Sequence, residues 1–235
     1  MLSFTFGGKD SFQDFGIFVA SRPHILSPER RITYINVPGM DSRLRRDEGT
    51  YGDITLSVEC SFLGNPVPKI GAVKGWLLGA GEADLVFSHI PGRKYLAQVV
   101  NSIDFEIVLK ITSHFVILFN CQPFQYTTDN TPVTVSESTT LTNPGTVKSF
   151  PIIKIIGSGA GALTVNGNSV SFSDISGSVT LDSAIQETYL DTGTTLISKN
   201  STKTGDYPVL LPGNNAISFS GGITSLEITP NWRWL

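Results

Sequence analysis

Apolar and polar residues alternate with a period of two through most of the chain, the mark of half-buried β-strands. Residues 2–6 (LSFTF), 31–37 (RITYINV), 53–62 (DITLSVECSF) and 94–100 (KYLAQVV) all read this way. Residues 103–121 read as a hairpin, with IDFEIVLKI and FVILFNC as its arms around a short turn. One segment breaks the period. In PKIGAVKGWLLG, residues 68–79, Ile70, Val73, Trp76 and Leu77 fall on one side of a helix. Pro68 suits a first turn, while the two interior glycines each weaken the helix by about 1 kcal/mol. Trp76 lies on the apolar side and is expected to anchor a core.

Around residues 127–148 (TTDNTPVTVSESTTLTNPGTVK) the large apolar residues thin out. Thr, Ser, Asn and Pro replace them, which predicts a connector with at most one exposed strand. Beyond it the period of two returns in short, regularly spaced runs: FPIIKIIGSG, LTVNGNSVSF, GSVTLDS, QETYLD, TTLISKN, NAISFS and ITSLEITPNW. Asn166-Gly167 sits between two alternating runs, a strong hairpin signal because both turn positions require positive φ. The glycine-rich GSGAGA at 157–162 reads as a hairpin tip; it lacks the Lys-Ser/Thr of a phosphate-binding loop. Short strands separated by polar turns predict a sandwich or jelly roll. The fold class expected is mainly β with a single helix, in one large domain or two small ones.

The 235 residues suffice for two cores, and 40% apolar with 16% charged residues is ordinary globular composition. Charge divides unevenly. Residues 1–128 hold 12 basic and 12 acidic residues, whereas residues 129–235 hold 5 and 8, so the net charge of -3 belongs to the second part. Such a balance disfavours nucleic-acid binding. The opening MLSFTFGGKDSF has neither the basic nor the apolar region of a secretory signal. The two cysteines, Cys60 and Cys121, lie in apolar strand-like segments and read as buried thiols rather than a disulfide, which fits synthesis in a reducing cytosol.

Several short motifs bear on chemistry. Asp191-Thr192-Gly193 has the letters of an aspartic-protease motif, but such an enzyme needs two carboxylates sharing a proton. Asp10-Ser11-Phe12, Asp41-Ser42-Arg43 and Asp182-Ser183-Ala184 all lack the second glycine motif. Asp-x-Gly between strands is a common turn, and that is the reading here. His24, His89 and His114 are scattered and there is no Cys-x-x-Cys, so neither a zinc site nor any other metal or cofactor site is expected. RLRRDE at 43–48 is mixed in sign; it reads as a solvated loop or as a salt-bridging contact to a neighbouring subunit. Tyr189, Tyr207, Trp232 and Trp234 could serve as stacking platforms for a sugar. That leaves a carbohydrate-binding accessory protein as the alternative to a structural role.

Other motifs occur in a recognisable order. FTFGGKDSFQDFGIFV opens the chain, followed by VPGMDSRL, GWLLG, RKYLAQV and FNCQPFQY. NPG, FPIIKIIGSG, LDS, DYPVLLPGNNAISFSG and ITPNWRWL follow in the second part. In this order the chain resembles the distal tail protein (Dit) family of long-tailed, non-contractile bacteriophages, over nearly its whole length. The resemblance implies an N-terminal ring-forming β-sandwich-like domain with one α-helix (residues 1–133) and a C-terminal galectin-like β-sandwich (134–235), whose last strand returns to the first domain. It implies a hexameric ring, single or stacked, at the distal end of a phage tail. That ring joins the major tail tube protein to tail-tip and receptor-binding proteins, as the hub of the host-adsorption apparatus. The protein would be a virion component assembled in the bacterial cytoplasm, with DNA passing through the ring lumen, no membrane contact, no cofactor and no catalysis. The N-terminal domain is expected to supply the ring interface. The galectin sugar site relies on a His, and residues 129–235 contain none.

Overall fold

The computed structural model describes residues 1–62, 64–109 and 112–235. The chain divides into two compact units: Met1–Thr128 together with Leu235, and Asp129–Trp234. No helix among the described residues is long and apolar enough to cross a membrane.

In the first unit the strands are β1 (Phe4–Phe6), β2 (Lys9–Asp10), β3 (Ile17–Val19), β4 (Arg30–Ile35), β5 (Leu44–Tyr51), β6 (Ile54–Phe62), β7 (Ala83–Phe87), β8 (Arg93–Val99), β9 (Glu106–Leu109) and β10 (Thr112–Thr127). One antiparallel path runs β2-β1-β7-β8-β10-β6-β3. The Val19 amide donates to the Leu2 carbonyl oxygen at 2.9 Å, drawing the ends of that path together. Strand β6 shows why the alternation works. Ile54, Leu56, Val58, Cys60 and Phe62 are buried, while Thr55, Ser57 and Glu59 face outward.

The predicted helix forms as a single 3-10 turn, Val67–Lys69, followed by α1, Ile70–Gly79. Its buried residues are Val73, Trp76 and Leu77. Trp76 is stacked between Phe15 (4.4 Å between ring centroids) and Phe4 (5.7 Å), and its indole N–H donates to the Phe6 carbonyl oxygen at 2.9 Å. An amphipathic ring thereby buries its faces and still satisfies its one donor.

The 103–121 hairpin is tighter than its sequence suggests. Thr112–His114, expected in the turn, belong to β10 and pair with β9. His114 also lies opposite Ser61 on β6, where its Nδ1 and the Ser61 hydroxyl are 2.6 Å apart. Strand β9 thus recruits three polar residues that local pattern assigns to a turn, and β6 pairs with the last of them. Residues 110 and 111 lie outside the described residues.

In the second unit the strands are β11 (Val133–Val135), β12 (Thr139–Asn143), β13 (Ile152–Val165), β14 (Asn168–Asp182), β15 (Glu187–Asp191), β16 (Leu196–Ser198), β17 (Lys203–Thr204) and β18 (Gly213–Thr229). Three of them are long, each joining runs that look separate in sequence. The expected connector contains two strands, β11 and β12, not one. Both pair with β18, whose exposed edge offers hydrogen bonds that a polar segment can accept.

Bulges fold this single sheet over itself. The first half of β18 pairs with β12 and the end of β13; its second half pairs with β11 and the start of β13. Leu163, Val165, Val170, Phe172 and Ile217 from one half meet Ile153, Ile155, Val179, Leu181, Leu226 and Ile228 from the other in one core. GSGAGA is therefore not a hairpin tip but the bend of β13, with register shifts at Gly157 and Gly159/Gly161. A methyl on Gly157 would collide with the Gly222 carbonyl oxygen, and one on Gly222 with that of Ser158. Glycine is needed where the two bulged backbones cross. The hairpin turn lies at Asn166 (φ 52°) and Gly167 (φ 84°), between β13 and β14, as the Asn-Gly pair predicts.

Candidate functional site

An exposed feature is the β4–β5 ribbon, which among the described residues pairs only with itself. Its register sets Tyr34 opposite Arg45 and Ile35 opposite Leu44. Tyr34 (52% exposed), Ile35 (44%), Met40 (54%) and Leu44 (53%) stay open to solvent. Among them run charges of both signs. Arg30 and Asp47 pair at 2.7 Å, and the Thr33 hydroxyl donates to Glu48 at 2.6 Å. The Gly49 amide and then Arg30 hold the Asp47 carboxyl below its usual range. A groove of about 630 Å³ follows the ribbon past Glu29, Arg31, Tyr34 and Glu48. RLRRDE thus belongs mainly to a strand, β5, rather than a loop: residues 44–47 pair across the ribbon. In RITYINV both strand phases carry large apolar residues, the signal of a strand with no single dry face.

The other residues singled out by sequence have structural duties. Asp191 ends β15, and its Oδ1 accepts the Gly193 amide at 2.7 Å while the Thr192 amide donates to the Thr195 carbonyl oxygen at 3.1 Å. Asp191-Thr192-Gly193 is a hairpin turn, Gly193 supplying φ 81°. His24 and His89 line one narrow crevice with Leu56 and Tyr95, and His114 bonds Ser61 instead. Burial, with Arg22 nearby, lowers the pKa of His89. Among the described residues no three His, Cys, Asp or Glu side chains gather as a metal site.

Cys60 and Cys121 are free buried thiols on adjacent strands, with Cys60 opposite Phe115 and Cys121 opposite Ile54. Burial raises both pKa values, that of Cys121 to about 12 with some help from Asp53.

The asparagines and tryptophans near the end of the chain are clamps. Asn215 is fully buried; its side-chain NH2 reaches the Leu211 (2.8 Å), Gly213 (2.9 Å) and Leu141 (3.3 Å) carbonyl oxygens. Its Oδ1 accepts the Leu211 amide and the Asn166 side chain, each at 2.7 Å. Asn231, at φ 53°, donates from its backbone to Asn130 and from its side chain to the Phe150 carbonyl oxygen. Arg233 stacks on Phe150 at 4.6 Å and donates to the Lys148 carbonyl oxygen. Trp232 packs against the second core, and the Trp234 indole donates to the Pro144 carbonyl oxygen at 3.1 Å. A methyl on Gly145 would strike the Arg233 carbonyl oxygen. Trp232 and Trp234 are thus engaged in packing and hydrogen bonding, not held out as sugar platforms. Tyr207 is likewise held, by Thr188 and by Lys203 over its ring. Tyr189 lines an open groove.

No family model matches the sequence, and no curated protein does. Among solved structures the chain is similar to the SPP1 Dit (gp 19.1) protein, described as a paradigm of the hub adsorption apparatus in phages that infect Gram-positive bacteria. The match covers 100% of both chains with a TM-score of 0.74 and 15% sequence identity. The chain has the Dit fold. The fold class is accordingly mainly β, in the sandwich arrangement of that protein.

Proposed function

We propose that the protein is a structural component of a bacteriophage tail. In this reading six copies form a ring at the distal end of the tail, joining the tail tube to tail-tip proteins as the hub of the adsorption apparatus. The observation that carries the reading is the full-length likeness to a Dit protein in both units. The β4–β5 ribbon supports it. A closed ring needs a heterologous interface, one patch meeting a different patch on the next copy. A projecting ribbon with open Tyr34, Ile35, Met40 and Leu44 and mixed charges is suited to such a contact. Apolar side chains set in a charged rim match the anatomy of specific interfaces. The protein acts by shape, without chemistry of its own; the one protease-like motif is a turn.

Light scattering behind a sizing column, with negative-stain images of the peak, tests this. The expected mass is that of six chains of 25.4 kDa each, or of a stacked pair of such rings. Tyr34→Ser with Leu44→Ser should give monomers with an unchanged melting temperature. A monomer at every concentration, unaltered by addition of a tail tube, would overturn the ring.

A further inference from the structure

A second groove, of about 350 Å³, lies on the outer face of the second unit. Its volume falls within the range of small-ligand sites. Four strands that are far apart in sequence build it. Glu227 on β18 lies opposite Lys154 on β13, Lys154 opposite Thr180 on β14, and Thr180 opposite Tyr189 on β15. With strands about 4.8 Å apart, this row spans about 14 Å. Asp191 lines the groove too, one strand pleat beyond Tyr189. Ser178 and Thr229 add hydroxyls.

The lining limits what can bind. The one cation, Lys154, is paired with Glu227 at 3.2 Å, and Asp191 adds a second carboxylate, so the groove repels polyanions. Only Ile152 and Pro132 are aliphatic, too little for an apolar peptide. What remains is an aromatic ring, two carboxylates, an ammonium and several hydroxyls side by side. Carboxylates accept pairs of hydroxyl protons, an ammonium donates, hydroxyls both donate and accept, and an aromatic face takes up apolar C–H surface. A sugar ring presents both kinds of surface.

We propose that this groove binds a neutral glycan, a short oligosaccharide lying across the Glu227–Lys154–Thr180–Tyr189 row with one sugar ring against Tyr189. The inference does not rest on ring assembly and uses none of the aromatic residues near the end of the chain. The full-length protein would be tested by calorimetry and on an array of neutral trisaccharides of glucose, galactose and N-acetylhexosamine type. At least one should bind, with an affinity unchanged between low and high salt. Tyr189→Ala should weaken it by about tenfold, the worth of a ring contact, whereas Tyr189→Phe should retain it. Glu227→Gln, which keeps side-chain volume, should weaken it independently should Tyr189→Ala fail to fold. Absence of binding to every neutral sugar, or binding indifferent to both variants, would overturn the proposal. So would preference for a phosphate-bearing polymer with salt-dependent affinity.

Discussion

Asn215 is the residue whose loss should hurt the second unit most for its size. It is fully buried and takes part in five hydrogen bonds, two with Leu211 and one each with Gly213, Leu141 and Asn166. Replacement by Ala strands the part-buried Leu211 amide, at a cost near the lower end of about 1–3 kcal/mol. The three carbonyls and the Asn166 amide lose partners at roughly 0.5–1.5 kcal/mol each, discounted because carbonyl oxygens keep a second lone pair. The sum expected is about 3–5 kcal/mol, a melting shift on the order of 10 °C or more. Urea unfolding followed by tryptophan fluorescence would measure it, with the m-value unchanged if only the native state is affected. Asn214 is the internal control. It is the preceding residue but exposed, and it accepts only from the Thr142 hydroxyl at 2.9 Å. Asn214→Ala should therefore lie within about 0.5 kcal/mol of the parent. Equal costs for the two variants, or a cost below about 1 kcal/mol for Asn215→Ala, would refute the view that this network closes the loop after Leu210.

Three other outcomes follow from the same reasoning. Trp76→Ala should destabilise the first unit by about 3–5 kcal/mol in calorimetry, since it empties the space between Phe4 and Phe15; Trp76→Phe should cost less, losing the bond to the Phe6 carbonyl oxygen. Asp191→Ala should loosen an exposed turn by about 1 kcal/mol or less, and a casein assay should show no peptidase activity in either form. Cys60 and Cys121 should resist a thiol reagent until the protein unfolds. The native state holds these protons more tightly than the unfolded chain, so the thiols' contribution to stability should be constant below about pH 9 and fall between about pH 9 and 12, as chemical unfolding across that range would show.

Much of the fold was legible because local rules and tertiary packing agree. In β6 every second residue is apolar and every one of those is buried. Trp76 falls on the helix face that the 3.6-residue period marks. Asn166-Gly167 turns because few other pairs accept two positive φ angles. The same logic identified Asp191-Thr192-Gly193 as a turn. Local rules misread GSGAGA, since glycines that end a strand and glycines that let two strands cross look alike in one dimension. They likewise assigned Thr112–His114 to a turn, where pairing with β9, and at His114 with β6 as well, holds them in a strand. They left Trp232 and Trp234 open as platforms, because alternation says that two residues share a face but not what covers it.

The candidate surfaces belong to the tertiary structure for a plain reason. A ribbon is an interface candidate only if nothing in its own chain covers it, and that depends on where every other strand goes. The Glu227–Lys154–Thr180–Tyr189 row joins four residues spread over 73 positions, and its register follows from bulges at Gly157 and Gly222. The sequence by itself determined the strand periods, the lone helix and the turns, since each depends on neighbours a few residues away. Which faces are left uncovered, and which side chains meet on them, is set by hydrogen-bond register between distant strands, and only the folded chain carries that information.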